Sequence, residues 1–438
     1  MRDVIAYDVL RLFIGAASLT PRGIDRVDLA LARNIFADRA APHVGILPTP
    51  VGTFVLSARQ VCRLITYLDA LWEAGAQDQS AIGADRQLAG LVARLKSGGG
   101  LDRSLGAMSP PKTLSMRQKV FRMLQMVFAT GCWPHRLASY GVPIGAKYLN
   151  VGQIGLAMPG FFKWLDKRID VATAMMIHDA IPILYPDMVG KTAPGHHRQM
   201  IRTAATRADG FIFNSAYTRD SVQSVVRDMG RHSLTAFVRP LPLPAAFETV
   251  DTGIAALAGI RYFVAVSTVE PRKNHELLLR VWQRLVDKGG DLPRLVIVGS
   301  LGRQAEEILK PLSANPALAA CVFPVAGLSS RALASLMLGA TGVLCPSLAE
   351  GFGLPLLEAI AMGVPAIASD IPAHRELANA TTRLLPTDDA AAWEQAISAL
   401  PRGYPRVRPP IAADQTDTAY CRDVTSFLSG LARRTPAA

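Results

Sequence analysis

Residues 342–359 read GVLCPSLAEGFGLPLLEA, and this stretch indicates the fold class. Its first four residues form a short apolar run typical of a buried strand. The two glycines of Glu350-Gly351-Phe352-Gly353 predict a tight turn, and Pro355 suits the first position of a following helix. Open α/β sheets are built from such strand-turn-helix units and bind ligands where their strands end. The stretch therefore predicts an α/β domain with a binding site at this turn.

The same alternation of apolar runs and helical patterns extends outward over most of the chain. Residues 262–266, 295–298 and 321–325 are predicted strands with helical segments between them. Near the start, the apolar, strand-like run 3–14 precedes a glycine-containing turn and a helical pattern, as in the opening of a Rossmann-like unit. We therefore expect parallel strands joined by helical crossovers.

The chain length of 438 residues favours more than one domain. The proline-rich stretch 238–244 (VRPLPLP) cannot continue a central strand, so we place a domain boundary there. We predict an N-terminal Rossmann-like domain over 1–240 and a C-terminal Rossmann-like domain over 241–410. A helix within 411–438 is expected to pack back on the first domain.

The positive charge of the chain lies in its first half. Residues 1–240 hold 29 Lys and Arg against 17 Asp and Glu, whereas residues 241–438 hold 18 of each. Such an excess favours an anionic partner such as phospholipid headgroups, a lipid diphosphate or nucleic acid, although a basic surface without a partner is an alternative. No aromatic RNA-binding motif, zinc-ligand spacing or helix-turn-helix is visible, so we expect no nucleic-acid partner.

A basic amphipathic helix is predicted over 112–128. Its apolar residues follow a helical repeat, and Lys112, Arg117, Lys119 and Arg122 lie among them. Such a helix can lie on an anionic membrane surface, or it can be an outer helix of the domain.

Targeting signals are not evident. No apolar run reaches the roughly 18 residues of a membrane span, and the first residues lack the apolar core of a signal peptide. Five scattered cysteines indicate free thiols in a reducing compartment. We expect a cytoplasmic protein, with peripheral contact at the inner membrane face as a further expectation.

A second segment points to the same chemistry as the glycine turn. Residues 266–274 (VSTVEPRKN) follow the first predicted strand of the C-terminal domain. Arg272 and Lys273 at a strand-to-helix turn can neutralise a diphosphate, and the carboxylates of Glu350 and Glu358 can accept hydrogen bonds from sugar hydroxyls. Each feature alone has a structural alternative: Arg272 and Lys273 could be a solvated charge pair, and the glycine turn with its glutamates could be a capped helix. Together they predict a pocket for a nucleoside diphosphate.

Four motifs carry a resemblance to a known family. Glu350 and Glu358, separated by seven residues, are similar to the paired glutamates of glycosyltransferase family 4, a retaining group with the two-domain GT-B fold. The other three motifs are EPRKN at 270–274, IHDAIP at 177–182 with FNS at 213–215, and TPRGIDRV at 20–27. EPRKN resembles a turn of mannosyltransferase-like members. IHDAIP and FNS resemble N-terminal-domain signatures of the family, and TPRGIDRV resembles the start of bacterial polysaccharide-assembly members. The resemblance implies two Rossmann-like domains facing a central cleft, with the acceptor bound by the domain over 1–240 and the nucleotide-sugar donor by the domain over 241–410.

The resemblance also implies roles for individual residues. Arg272 and Lys273 would hold the donor diphosphate, Glu350 would face the donor sugar, Glu358 would bind the ribose, and His178 would lie near the transferred sugar. Arg272, Lys273, Glu350 and His178 are the catalytic candidates. The further donor-binding positions are Gly23, Gly351, Phe352, Gly353 and Leu354. The chain departs from the family pattern with a single glycine at position 23 and with Ser267 in place of a common glycine.

The activity that follows is transfer of a sugar, with retention, from a nucleoside diphosphate to a hydroxyl. By resemblance, the first candidate is mannose from GDP-mannose, passed to a lipid-linked or oligosaccharide acceptor in surface polysaccharide synthesis. No Asp-x-Asp pair follows a predicted strand, so neither a metal nor a cofactor is expected. The alternatives are a sugar-nucleotide epimerase of the same fold and an inactive partner subunit. The intact glutamate pair and Arg272-Lys273 argue against inactivity.

Overall fold

The structure is a computed structural model that describes residues 3–17, 23–77, 83–97, 115–133, 136–401, 408–410 and 415–433. The chain forms two compact units. Unit 1 consists of Met1–Glu73, Leu114–Pro242 and Ala412–Ala438, and unit 2 consists of Ala74–Thr113 and Leu243–Ile411. Each unit contains one sheet.

Unit 1 is built on an eight-stranded sheet with the order β4-β3-β2-β1-β5-β6-β7-β8. Its strands are β1 (Ile5–Asp8), β2 (Val44–Thr49), β3 (Gly52–Ser57), β4 (Arg136–Leu137), β5 (Lys147–Asn150), β6 (Ala172–Ile177), β7 (Gly210–Phe213) and β8 (Ala236–Val238). The β2–β3 and β3–β4 pairs are antiparallel and the others are parallel. The strand order changes direction between β1 and β5, which makes their carboxyl ends a topological switch point.

Unit 2 is built on a six-stranded, fully parallel sheet with the order β11-β10-β9-β12-β13-β14. Its strands are β9 (Tyr262–Val266), β10 (Arg294–Val298), β11 (Val322–Val325), β12 (Gly342–Cys345), β13 (Ala366–Ser369) and β14 (Thr382–Leu385). The chain runs outward from β9 through β10 to β11 and then crosses to β12 on the other side of β9. The switch point therefore lies between β9 and β12, whose following turns hold the two predicted binding motifs.

Helices connect these strands. In chain order, the α-helices of the described residues are α1 (Leu10–Gly15), α2 (Gly23–Ala37), α3 (Ala58–Gln77), α4 (Gly83–Ser97), α5 (Met116–Thr130), α6 (Ala138–Gly141), α7 (Ile181–Leu184), α8 (Ala193–Arg207), α9 (Ala216–Arg227), α10 (Ala245–Thr249), α11 (His275–Lys288), α12 (Ala305–Ala314), α13 (Pro316–Ala319), α14 (Ser330–Gly339), α15 (Leu354–Ala361), α16 (Pro372–Leu377), α17 (Ala390–Ala399) and α18 (Asp417–Ser429). Among the residues described, none of these helices combines the length and the apolar character needed to cross a bilayer.

The sheet of unit 2 separates two apolar cores. Alternate residues of one strand point to opposite faces, so Tyr262 and Val264 contribute to one core and Phe263 and Ala265 to the other. All four side chains are buried, as expected for parallel strands with helices on both faces.

The first apolar run of the sequence is not one strand. β1 ends at Asp8, and α1 begins at Leu10. The Asp8 carboxylate accepts a hydrogen bond from the Leu10 amide at 2.9 Å, which satisfies an amide at the start of the helix. The strand-like interpretation of 3–14 is therefore wrong beyond Asp8.

Helix α4 comes from the first half of the chain but belongs to unit 2. Leu91 and Leu95, one helical turn apart, are fully buried in the core of that unit. The Arg94 guanidinium lies over the Phe323 ring of β11 at 6.0 Å. The predicted N-terminal domain 1–240 thus included a segment that packs on the other sheet. Apolar periodicity shows that a helix has a face to bury, but it does not show which sheet will cover that face.

Helix α18 lies in unit 1, where it packs beside β7 and β8. Phe427 stacks on Phe237 with ring centroids 5.1 Å apart, and Arg239 pairs with Asp423 at 3.1 Å. Gly210 approaches the Phe427 ring so closely that an added Cβ would lie 2.8 Å from it.

Candidate active site

The turn after β9 is tied to the turn after β12. Asn274 adopts a left-handed conformation with φ of 53°, which asparagine tolerates better than most residues. Its side-chain amide donates to the carbonyls of Pro346, at 3.1 Å, and Thr387, at 2.8 Å. The Leu348 amide donates to the Arg272 carbonyl at 2.9 Å. These bonds fix the two turns at the switch point relative to each other.

The two turns bring two cations onto one carboxylate. The Lys273 ammonium donates to Glu350 Oε1 at 2.5 Å, and Arg272 Nη1 donates to Glu350 Oε2 at 3.2 Å. Arg272 also donates to the Ala349 carbonyl at 2.9 Å and to Glu270 at 2.9 Å. Ser347 Oγ donates to Glu350 Oε1 at 2.7 Å. Because Arg272, Lys273 and Glu350 are mostly buried, they form a preorganised cluster rather than a solvated surface pair.

Glu350 remains ionised in this cluster. Burial alone would raise the pKa of its carboxyl group, but the adjacent charges of Lys273 and Arg272 and the hydrogen bonds from Lys273 and Ser347 lower it to about 2. The carboxylate is therefore charged at neutral pH and holds both cations in place.

Helix α15 begins directly after the glycine turn. Gly353 has φ of +106°, and an added Cβ would lie 3.1 Å from the His374 ring, so the position requires glycine. The helix N-terminus carries a partial positive charge, and its first amides have no partner within the helix. Glu358 is buried on this helix. The arrangement places amides, cations and an acidic pair at the carboxyl edge of one sheet.

His178 follows β6 in unit 1. Its Nε2 lies 2.9 Å from the Val151 carbonyl, and its Nδ1 is buried with no hydrogen-bond partner among the described residues. Burial lowers the pKa of His178 to about 4, so the ring is neutral at physiological pH. Asn214 Nδ2 donates to the His178 carbonyl at 3.0 Å and holds the backbone. Since Nε2 must donate to Val151, Nδ1 is left as a hydrogen-bond acceptor.

A buried acidic cluster lies at the switch point of the same sheet. Tyr148 donates to Asp8 at 2.6 Å, and Tyr7 donates to Asp28 at 2.5 Å. Burial raises the pKa of Asp8 to about 6 and that of Asp28 to about 8. Gly23 is the first residue of α2, while residues 20–22 lie outside the described part of the chain.

Comparison with known proteins assigns the unit that holds the ion cluster. Residues 256–406 match the family model "Glycosyl transferases group 1", and this range contains Arg272, Lys273, Glu350 and Glu358. Residues 256–406 therefore form a group 1 glycosyltransferase domain.

Curated relatives of the chain include mannosyltransferases. The serotype-specific mannosyltransferase WbdA of Escherichia coli is 29% identical over 221 residues, which cover 46% of this chain and 26% of WbdA. The O-antigen chain mannosyltransferase RfbU of Salmonella typhimurium is 26% identical over 226 residues, which cover 50% of this chain and 58% of RfbU. The chain thus spans about a quarter of the length of WbdA and somewhat more than half that of RfbU.

Solved structures show the fold of the chain. One trehalose-6-phosphate synthase superposes with a TM-score of 0.53 at 11% identity, covering 73% of this chain and 81% of the other. The trehalose-6-phosphate synthase OtsA gives 0.51 at 11% identity, covering 73% and 79%. This likeness confirms the GT-B fold with its two α/β domains.

Several contacts in the glycosyltransferase site could not be found in the sequence. Ser347 and Asn274 lie inside the quoted motifs, but their hydrogen bonds to Glu350 and to the Pro346 and Thr387 carbonyls were not predicted. A polar residue near a glutamate or after a basic turn is only a weak signal for such bonds. His374, in contrast, is 21 residues beyond Gly353, and nothing in the sequence indicates their close approach. The raised pKa values of Asp8 and Asp28 depend on burial, which the sequence does not display.

Proposed function

We propose that the protein transfers a sugar, with retention of configuration, from a nucleoside diphosphate to a hydroxyl of a lipid-linked or oligosaccharide acceptor in bacterial surface polysaccharide synthesis. GDP-mannose is the first donor candidate, because the curated relatives WbdA and RfbU are mannosyltransferases. The observation that carries the proposal is the buried Arg272-Lys273-Glu350 cluster at the switch point of unit 2.

The cluster suits a leaving diphosphate. In the reaction, the bond between the sugar anomeric carbon and the phosphate oxygen breaks, a bond to the acceptor oxygen forms, and negative charge develops on the diphosphate. Arg272 offers a fork of N–H donors and Lys273 a compact charge, and both are held in place before the substrate arrives. We assign them, together with the amides from Gly351 to Leu354 at the α15 N-terminus, to the donor diphosphate.

Charge balance limits how the donor is held. Glu270 and Glu350 together compensate Arg272 and Lys273, so the cluster alone has little net charge to attract an anion. An ammonium has three donors and a guanidinium five, so both can bind phosphate oxygens without leaving Glu350. We assign Glu350 to the positioning of these cations and to the donor sugar hydroxyls, and Glu358 to the ribose.

His178 supports a role in hydrogen bonding rather than in charge. Its neutral ring presents Nδ1 as an acceptor, which suits a sugar hydroxyl. We assign His178 to the transferred sugar on this basis. Arg272, Lys273 and the amides at the α15 N-terminus would bind the diphosphate oxygens directly, so we propose that the reaction needs no metal ion and that EDTA leaves the rate unchanged.

The test is a panel of nucleotide sugars. Thermal shift with the full chain should show stabilisation by one donor, about 2.7 kcal/mol at a hundredfold excess over Kd. The same donor, labelled in the sugar, should pass its label to lipid-extractable acceptor, with the anomeric configuration of the product read by NMR. Label that stays on the nucleotide as a different sugar would instead establish the epimerase. If no donor stabilises the chain and no donor supports transfer, the proposed function is wrong.

The lipid-linked acceptor implies work at a membrane. We include peripheral contact with the inner membrane face in the proposal, since the excess positive charge lies in residues 1–240. Vesicle binding tests this separately from transfer.

A further inference from the structure

Helix α5 is defined by its own sequence. Ser115 caps its start by accepting from the Gln118 amide, and the Gln118 side chain accepts from the Ser115 amide. Gly131, in a left-handed conformation with φ of 68°, ends it. The helix is therefore a well-formed amphipathic element, and the distribution of its side chains is informative. Lys112, included in the predicted helix, lies outside the described residues.

Unit 1 covers only part of the apolar surface of α5. Met126, Val127 and Thr130 are buried, whereas Phe121 is 60% exposed and Phe128 is 71% exposed. Because successive helical residues are about 100° apart, Val120, Leu124, Phe128 and Phe121 occupy a continuous arc beside the buried stripe. The exposed arc is as wide as an amphipathic helix normally buries.

Aromatic packing extends this surface beyond the helix. Trp133 is 49% exposed, and its ring meets the Phe128 ring edge-on with centroids 5.1 Å apart. Exposed apolar patches of this kind mark interaction surfaces. We define the α5 face by its exposed apolar side chains, which are Met116, Val120, Phe121, Leu124, Phe128 and Trp133.

The charged residues in the stretch of chain that contains the α5 face all have one sign. The sequence contains no Asp or Glu between Asp102 and Asp166, and this stretch includes all of α5. Arg117 and Lys119 are exposed on the helix itself. A second copy of the chain docked on this face would bring positive charge against positive charge, which disfavours association. Anionic phospholipid offers the complementary charge together with an apolar layer beneath it.

We propose that the α5 face inserts into the interface of an anionic bilayer. The helix lies in the membrane plane, with Phe121, Leu124, Phe128 and Trp133 at the boundary of the acyl chains and with Arg117, which lies on the same arc, at the lipid phosphates. The inference deepens the peripheral contact included in the proposed function, and it names both the surface and the mode of binding. Apolar insertion, rather than charge alone, makes the contact.

The first experiment uses the full chain and Trp133 as the reporter. Vesicles of phosphatidylcholine with about a third phosphatidylglycerol should bind the protein, and phosphatidylcholine alone should bind it far more weakly. Acyl-brominated lipid in the anionic vesicles should quench tryptophan fluorescence. Trp133→Phe should remove most of that quenching, because Trp164, Trp282 and Trp393 are buried and the partly exposed Trp72 lies on α3, outside the α5 face. Binding without quenching, or equal binding to neutral vesicles, would overturn the proposal.

The second experiment separates the face from general surface hydrophobicity. The triple variant Phe121→Gln/Leu124→Gln/Phe128→Gln should bind anionic vesicles at least about tenfold more weakly. Its matched control is Met158→Gln/Ile169→Gln/Leu184→Gln, which alters three exposed apolar side chains of unit 1 outside the face and should bind like the wild type. Arg117→Gln, on the exposed arc, should weaken binding about fivefold, whereas Lys119→Gln, on the opposite side of the helix, should weaken it less. An unchanged affinity of the first triple variant, or an equal loss in both, would overturn the proposal.

Two readouts keep this proposal apart from others. Sedimentation equilibrium should show a monomer, and a dimer that the first triple variant dissociates, without vesicle binding by the wild type, would identify a second copy as the occupant instead. Transfer to a water-soluble acceptor analogue should survive in the first triple variant. If the wild type binds vesicles but transfers no sugar, the membrane-binding proposal for the α5 face still holds and only the proposed function is wrong.

Discussion

The carboxyl edges of the two sheets carry polar residues in the same topological position, but they treat charge in opposite ways. In unit 2, Glu350 contacts Lys273 and Arg272, and its pKa falls to about 2. In unit 1, Asp28 receives a hydrogen bond from Tyr7, and burial raises its pKa to about 8. Both carboxyl groups are buried, so burial does not explain the difference.

The difference lies in where the cations are. Arg11 is near the acidic cluster of unit 1, but its guanidinium pairs with Asp25 at 2.7 Å and donates to the Gly152 carbonyl at 2.7 Å. Asp28 therefore lacks a direct cationic partner among the described contacts, and one oxygen of its carboxyl group has no hydrogen bond. A switch point of an α/β sheet can thus present fixed charges, as unit 2 does, or neutral hydrogen-bonding groups, as unit 1 does.

The largest effect on the transfer rate should come from removing Lys273, one of the two cations at the carboxyl edge of the unit 2 sheet. Lys273→Ala should lower the rate of sugar transfer by about a hundred- to a thousandfold, because a preorganised charge facing the leaving diphosphate is lost. Lys288→Ala is the matched control, since Lys288 pairs with Glu394 elsewhere in the same unit. Steady-state kinetics with saturating donor measure both. A full rate in Lys273→Ala would contradict the assignment of the cluster.

Removing the carboxylate of that edge should instead appear in stability. Glu350→Gln leaves Arg272 and Lys273 mostly buried without their shared counter-charge, which should cost about 3 kcal/mol of unfolding free energy. Asp28→Asn, at the carboxyl edge of the unit 1 sheet, should cost much less unfolding free energy at pH 6, because the Asp28 carboxyl group is already protonated at that pH. Urea denaturation of both variants compares the two edges directly. Equal losses would mean that the proposed contrast between them is wrong.

A smaller effect is expected for the hydrogen bond assigned to His178. His178→Ala should reduce kcat about tenfold, the value of one hydrogen bond. Because burial keeps the pKa of His178 near 4, the wild-type rate should not show a histidine titration between pH 6 and 8. His232→Ala, at an exposed histidine of the same unit, is the control and should be active. A titration near pH 6.5 that disappears in His178→Ala would show that the ring carries a charge.

The smallest effect concerns the pH dependence of stability. The pKa of Asp28 is about 8 in the folded chain and about 3.9 in the unfolded chain, so the folded state holds an extra proton between these values. Stability should therefore fall as pH rises through this range, by at most about 1.4 kcal/mol per pH unit, until Asp28 ionises. Histidines with lowered folded-state pKa values, such as His178 and His275, oppose this slope near pH 6.5, where they titrate in the unfolded chain, so the window from pH 7 to 8 and the comparison with Asp28→Asn isolate the Asp28 contribution. Urea denaturation in this window should show the slope in the wild type and its loss in Asp28→Asn.

The fold was largely predictable because its signals are local. The strands over 262–266 and 342–345 and the glycine turn each follow from short patterns of apolar residues and glycine. The convergence of Arg272, Lys273 and Glu350 was predictable for a topological reason, since strand ends of a parallel sheet share one edge. Their resemblance to a family motif supplied the spacing.

What could not be predicted depends on long-range packing. The sequence shows that Asp8 and Asp28 are acidic, but not that Tyr148 and Tyr7 bury them. It shows the exposed apolar arc of α5 only as one half of an amphipathic pattern, because an ordinary outer helix has the same periodicity. The choice of sheet by α4 is of the same kind.

The packing of α4 on the sheet of unit 2 has a practical consequence for work with relatives of this protein. A fragment cut at the predicted boundary, starting near residue 241, would contain every strand of unit 2 but lack Leu91 and Leu95, and the β11 flank that they cover would become a site for aggregation. Chimeras intended to exchange donor preference would likewise need residues 74–113 to travel with the second half of the chain. The portable module of this protein is discontinuous in its gene.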